Sequence, residues 1–85
     1  MSDYTLDSAE GRVEALRRML TIRSFDETAG ERFADGEIPG FVHLYVGEEA
    51  VGVGTCAALH DDDYIASTHR GHGHCIAKGL DPKYM

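Results

Sequence analysis

Three histidines and one arginine are concentrated in residues 68–74, which read Thr-His-Arg-Gly-His-Gly-His. Imidazole and guanidinium groups donate hydrogen bonds, and an arginine presents a planar fork of donors that matches phosphate oxygens. Gly71 and Gly73 allow backbone N–H groups to approach a bound anion closely. The chain as a whole is acidic, with a formal net charge of −7. This local concentration of cationic groups therefore predicts an anion site, most simply for phosphate.

Two other interpretations of the same segment remain open. The first is a surface loop that is rich in histidine and glycine and binds nothing. The second is a zinc site, although its spacing is cramped and resembles no common zinc framework; the potential ligands are His69, His72, His74 and Cys75. Outside the segment, His43 stands in an apolar run, where a single histidine is more often a hydrogen-bonded core residue than a functional one.

A long helix is predicted upstream of these residues. Asp7 is the expected N-cap, with Glu10 three residues later as in a capping box, and Gly36 is the expected stop. Between them, apolar residues recur at spacings of three or four, which predicts one buried stripe. Its members are Val13, Leu16, Met19, Ile22, Phe25, Ala29 and Phe33.

Shorter elements are predicted to position the histidines. Residues 41–45 form an apolar, extended stretch, and Glu48 and Glu49 open a second helix whose body, residues 50–59, consists mainly of Ala, Val and Gly. Because each glycine costs a helix about 1 kcal/mol relative to alanine, this helix should be stable only when it is closely packed. Residues 64–67 predict a short strand, and residues 74–78 predict a helix that ends at Gly79. Asp81 and Pro82 are a typical helix start.

Composition limits the possible functions. Eighty-five residues form one small domain at most. Fifteen acidic residues against eight basic ones disfavour nucleic-acid binding, and no apolar run approaches the roughly 20 residues of a membrane span. The polar amino terminus is no signal peptide. With two separated cysteines, Cys56 and Cys75, reduced thiols and a cytoplasmic location are expected.

Three stretches occur in a distinctive order: residues 38–50 (Ile-Pro-Gly-Phe-Val-His-Leu-Tyr-Val-Gly-Glu-Glu-Ala), residues 63–68 and residues 69–74. Together they strongly resemble the N-terminal part of the alpha subunit of thiamine-diphosphate-dependent 2-oxo acid dehydrogenases. The resemblance covers roughly residues 14–85. Residues 67–79 look most like the acetoin dehydrogenase branch, and the pyruvate and branched-chain enzymes are close alternatives.

The resemblance implies a mainly α chain that enters an α/β fold. Residues 1–62 would be a helical N-terminal segment, and residues 63–85 would begin the thiamine-diphosphate-binding α/β domain with its first strand, loop and helix. The implied reaction is that of an oxidoreductase, which cleaves acetoin or decarboxylates a 2-oxo acid and passes the acyl unit to a lipoyl disulfide.

The resemblance also implies roles for individual residues. His69 and Arg70 would contact the diphosphate; most of the family has tyrosine at the first position, whereas acetoin-like members have histidine. His43 would lie at the active site and hydrogen-bond substrate or intermediates. A proton-transfer or positioning role for His72 is a hypothesis. Glu49 is interpreted as a helix-opening residue, because the glutamate that activates the cofactor resembles one from the beta subunit.

The implied partners are the beta subunit and a lipoyl-bearing acyltransferase. In the family, a Gly-Asp-Gly…Asn segment that holds magnesium comes well beyond position 85, so the isolated chain is expected to be inactive and to bind the cofactor weakly at best. The alternative is a truncated, non-catalytic helical fragment that associates with a partner through residues 50–59.

Overall fold

The computed structural model describes residues 4–40 and 42–85 and consists of three helices. Helix α1 spans Ala9–Ala34, α2 spans Glu49–Ala57 and α3 spans His72–Lys78, followed by a 3₁₀ turn at Pro82–Tyr84. Each helix packs against the other two. The predicted helical character is confirmed. Phe41, which begins the predicted extended stretch, lies outside the described residues.

Both ends of α1 are set by local hydrogen bonds. The N-cap is Ser8, whose Oγ accepts the N–H of Gly11 at 2.9 Å, so the predicted Asp7 cap was wrong by one residue. A Cβ at Gly11 would overlap the carbonyl of Thr5, so the chain that leads into the helix approaches its first turn closely at this glycine. The predicted stop is confirmed: Gly36 has a φ of +80°, and the N–H of Glu37 donates to the carbonyl of Arg32 at 2.9 Å, as in a Schellman motif.

The buried face of α1 differs from the predicted stripe. Ile22 is fully buried, but Val13 and Leu16 are 67% and 52% exposed. The buried residues of the helix are Gly11, Ala15, Ile22 and Asp26. The predicted stripe is therefore confirmed at Ile22 and at Met19 and Phe25, which pack against the core, and is wrong at Val13 and Leu16.

The core is organised around Tyr45, which lies just before α2 and is 1% exposed. Its ring occupies the space in which side chains at Gly52 and Gly73 would stand. The glycine-rich α2 is thus packed closely, as predicted. The buried apolar residues are Tyr4, Ala15, Ile22, Tyr45, Val53, Cys56, Ala57, Ile76 and Ala77.

The predicted strand at residues 64–67 is not formed, and no strand occurs in residues 4–40 and 42–85. A strand requires a hydrogen-bonded neighbour, and the described part of the chain provides none; Tyr64 is fully exposed. The division of the chain between residues 62 and 63 stays a prediction.

The carboxy-terminal elements agree more closely with expectation. Helix α3 begins at His72, two residues earlier than predicted, and ends as predicted at Gly79, which has a φ of +116°. Asp81 caps the 3₁₀ turn by accepting the N–H of Lys83 at 3.0 Å. Within the described residues, no helix combines the length and apolarity needed to cross a membrane.

Candidate functional site

His43 and His69 lie against each other although 26 positions separate them in the chain. Their ring centroids are 4.7 Å apart and the ring planes are nearly perpendicular, at 84°. His43 comes from the segment between α1 and α2, and His69 from the loop between α2 and α3. Both side chains are exposed. The fold therefore brings together two of the histidines that were predicted to act at one site.

Arg70 adds a cation next to this histidine pair. Its Nη1 lies 3.5 Å from Oε1 of Glu48, the residue that immediately precedes α2. Both side chains are about half exposed, at 54% and 44%. An ion pair with this separation and exposure contributes little to stability, so the guanidinium can exchange Glu48 for another anion at small cost.

His72 is the first residue of α3 and is held from two sides. Its Nδ1 lies 3.2 Å from Oδ1 of Asp26, and the ring of Phe25 packs edge-on against it with centroids 5.5 Å apart. The side chain is 33% exposed. One edge of the imidazole is thus anchored on α1 while part of the ring faces solvent.

Asp26 is a site residue that the sequence reasoning missed. It is fully buried, and its Oδ2 accepts a hydrogen bond from the backbone N–H of Tyr45. One carboxylate therefore connects α1 to the segment that carries His43 and to the helix that carries His72. The available signal was an acid four residues after Ile22, on the face that the helix buries.

His74 points into the core instead of joining the other histidines. Its ring packs edge-on against that of Tyr45, with centroids 5.2 Å apart. Its Nδ1 is buried and has no hydrogen-bond partner among the described residues.

Cys56 is buried and Cys75 is exposed, and both are free thiols. Among residues 4–40 and 42–85, no group of three or more His, Cys, Asp or Glu side chains is arranged to hold a metal ion.

Glu49 is the first residue of α2, as predicted, and its carboxylate is buried in a structural contact. It accepts hydrogen bonds from Nε of Arg23 at 2.7 Å and from Nη2 at 3.1 Å, and it also accepts the backbone N–H of Gly47 at 3.1 Å. The hydrogen bond from Arg23 is the main reason that the pKa of Glu49 falls from its ordinary value of 4.5 to about 2. The same contact raises the pKa of Arg23. This residue therefore joins α1 to α2 and is charged at neutral pH.

The family model described as the dehydrogenase E1 component matches residues 17–85. The chain therefore belongs to the dehydrogenase E1 component family, and the resemblance read from the sequence motifs is confirmed at the level of the family.

Relatives within this family agree with the predicted branch. The chain is 68% identical over 65 residues to the alpha subunit of acetoin:2,6-dichlorophenolindophenol oxidoreductase from Bacillus subtilis, which covers 76% of this chain and 20% of that protein. It is 65% identical over 69 residues to the subunit of the same name from Cupriavidus necator, and this match covers 81% of this chain and 21% of that protein. Identity is lower, 49% over 77 residues, to the pyruvate dehydrogenase E1 component subunit alpha of Zymomonas mobilis, covering 89% and 22%.

The chain spans only about a fifth of the length of these curated relatives. No solved structure matches it.

Proposed function

We propose that this chain is the N-terminal part of the alpha subunit of a cytoplasmic, thiamine-diphosphate-dependent dehydrogenase that cleaves acetoin or decarboxylates a 2-oxo acid. It would act with a beta subunit and pass the acyl unit to the lipoyl group of an acyltransferase. Family membership and the higher identity to the acetoin subunits support this proposal. The observation that carries it is the ring contact between His43 and His69 beside the exposed guanidinium of Arg70.

The donor set suits the diphosphate end of the cofactor. Arg70 and His69 are adjacent, exposed and able to donate several hydrogen bonds to phosphate oxygens. The weak pair with Glu48 would open when the guanidinium turns to the diphosphate. When bound, thiamine diphosphate supplies the carbanion that attacks the carbonyl carbon of the substrate. Magnesium would be held by the Gly-Asp-Gly…Asn segment that the family resemblance implies.

The remaining histidines would serve the substrate. The exposed imidazole of His43 can donate or accept a hydrogen bond at the carbonyl oxygen, and it is kept close to the diphosphate donors by its contact with His69. His72 would hold or move a proton through the ring edge that faces away from Asp26.

Residues 63–85 would begin the α/β domain, with residues 64–67 forming a strand only beside neighbouring strands.

Calorimetry tests this assignment directly. Thiamine diphosphate with magnesium chloride is titrated into the purified chain, and we expect binding with a dissociation constant in the micromolar range. Thiamine without phosphate should bind much more weakly, because Arg70 and His69 would then lack their anion. If neither compound binds, the partial cofactor site is rejected.

A matched pair of arginine variants identifies the residue that carries the binding. Arg70→Ala should weaken thiamine diphosphate binding at least tenfold, because a hydrogen bond to a charged group contributes about 1.5–3 kcal/mol. Arg32→Ala is the control, since this exposed arginine pairs with Glu37 at the far end of α1. Equal affinity in the two variants would contradict a diphosphate contact at Arg70.

The second candidate function is association without catalysis through the outer face of α2. Val51 is 69% exposed on that helix, and no described atom outside it lies within 4 Å of the position that a side chain at Gly54 would occupy. This candidate predicts no binding of thiamine diphosphate and a concentration-dependent molecular mass in light scattering. The variant Val51→Asp should abolish the association.

A further inference from the structure

The two carboxylate oxygens of Asp26 have separate partners. Oδ2 accepts the backbone N–H of Tyr45, and Oδ1 faces Nδ1 of His72 at 3.2 Å. The residue has no exposed surface, so water does not compete for these positions. A carboxylate is an acceptor only, and each of its oxygens is therefore matched with a group that can donate.

This arrangement determines where a neutral imidazole keeps its proton. The hydrogen bond made by one ring nitrogen selects the tautomer, and a nitrogen that faces a carboxylate oxygen carries the hydrogen. Nδ1 of His72 should therefore be the protonated nitrogen, and Nε2 should offer a lone pair. The edge of the Phe25 ring restricts rotation of the imidazole, so this orientation is maintained.

We propose that Asp26 is a positioning residue that holds His72 as the Nδ1–H tautomer and presents Nε2 as a hydrogen-bond acceptor toward the substrate. The tautomer follows from the geometry of Asp26 alone, whereas the role of Nε2 toward a substrate rests on the proposed function. The backbone N–H of Tyr45 is an essential part of the device. It occupies Oδ2 and thereby leaves Oδ1 for the imidazole.

The first experiment is made on the unaltered chain. Long-range ¹H–¹⁵N correlation spectra distinguish protonated from unprotonated ring nitrogens, and they are recorded at a pH above which the ring-nitrogen shifts of His72 no longer change. The signals of His72 are assigned by their absence from His72→Gln. We expect a predominant Nδ1–H form. A predominant Nε2–H form, which is the form that an unconstrained histidine favours, or an equal mixture of the two tautomers would overturn the proposal without any variant of Asp26.

The second experiment reverses the tautomer. In Asp26→Asn the side-chain oxygen must still accept the N–H of Tyr45, so the amide NH₂ takes the position opposite His72 and donates to Nδ1. The proton then moves to Nε2, as in triads whose orienting aspartate is replaced by asparagine. We expect the tautomer ratio of His72 to invert. A folded variant, verified by far-UV circular dichroism, with an unchanged ratio contradicts the proposal.

Controls separate this effect from a general disturbance and from the proposed function. Glu27→Gln removes the neighbouring exposed acid of α1 and should leave the tautomer of His72 unchanged. The spectra are recorded without cofactor. A tautomer other than Nδ1–H would therefore reject the role of Asp26 without affecting the thiamine diphosphate titration. Failure of that titration rejects the substrate role of Nε2, whereas the tautomer result stands.

Discussion

At the scale of single residues, two polar contacts from adjacent turns of α1 hold the start of α2. Asp26 accepts the backbone N–H of Tyr45, and Arg23 donates to the carboxylate of Glu49. Because Arg23 and Asp26 are three positions apart, they lie on the same side of α1. They hold the chain at Tyr45, two residues after His43, and at Glu49, directly after Glu48. The predicted site therefore depends on contacts that lie outside it.

The contact between Arg23 and Glu49 predicts how stability depends on pH. The pKa of Glu49 is lowered from 4.5 to about 2, mainly by the hydrogen bond from Arg23. A lowered pKa contributes stability that is fully present above the unfolded value and is lost as pH falls through the folded value. The free energy of unfolding should therefore decrease as the pH falls from about 4.5 to about 2. Urea titrations at several pH values would measure this decrease.

Arg23→Gln should make that decrease shallower and lower stability at neutral pH, because the charged form of Glu49 loses the hydrogen bonds from the guanidinium. Some dependence on pH will remain, because a hydrogen bond from Arg17 is the main cause of the lowered pKa of Glu14, also about 2. Arg32→Gln is the control, since its pair with Glu37 is exposed on both sides. An identical pH profile in Arg23→Gln and the unaltered chain would disprove the assignment.

At the scale of elements, α2 is a helix whose two central glycines have opposite surroundings. A Cβ at Gly52 would overlap the hydroxyl of Tyr45, whereas no described atom outside α2 lies within 4 Å of a Cβ at Gly54. The helix can therefore approach Tyr45 closely on one face only. Packing against Tyr45 offsets the low helix propensity of Gly52, whereas nothing offsets that of Gly54.

The two glycines provide a matched prediction within one helix. Gly54→Ala should raise the free energy of unfolding by about 0.5–1 kcal/mol, because alanine favours the helix and restricts the unfolded chain. Gly52→Ala should lower it by about 1–3 kcal/mol, because the added methyl group displaces the Tyr45 ring. Urea unfolding of the two variants measures both changes. Stabilisation in both variants would show that propensity alone determines the stability of α2, and destabilisation in both would show that Gly54 is as closely packed as Gly52. Either outcome would contradict the prediction.

At the scale of the whole molecule, Tyr45 is the residue on which the separate parts converge. Its ring contacts His74 of α3 and fills the space beside Gly52 and Gly73, while its backbone N–H is bound by Asp26 of α1. Burial raises the pKa of its phenol, so the hydroxyl stays neutral near physiological pH. The three helices are therefore held around one aromatic side chain that belongs to none of them.

Tyr45→Ala should destabilise the molecule by about 3–5 kcal/mol, because it leaves a cavity where the helices meet. A small domain has a total stability of only about 5–15 kcal/mol, so this variant should be largely unfolded at moderate urea concentrations. Val51→Ala, a truncation at an exposed position of α2, should change stability by less than about 0.5 kcal/mol. Equal effects in thermal or urea unfolding would contradict the central role of Tyr45.

Several helix ends could be predicted from the sequence because they depend on local interactions. The helix ends at Gly36 and Gly79, the opening of α2 at Glu49 and the cap at Asp81 depend on neighbouring residues, and all four predictions are confirmed. The family could also be identified from the sequence, because its motifs are short and occur in a fixed order. Roles for His43, His69, Arg70 and His72 stay predictions.

Sequence patterns were enough to predict the helix ends at Gly36 and Gly79, the helix starts to within two residues, the loop that concentrates histidine and arginine, and the family. The packing of the helices was needed to show that α1 buries Asp26 instead of Val13 and Leu16, that His43 contacts His69 and that residues 64–67 form no strand. The physical reason is that capping, turn formation and helix propensity act over a few neighbouring residues. The choice of a buried face, a hydrogen bond such as that from the backbone N–H of Tyr45 to Asp26, and a strand all require a partner from elsewhere in the chain.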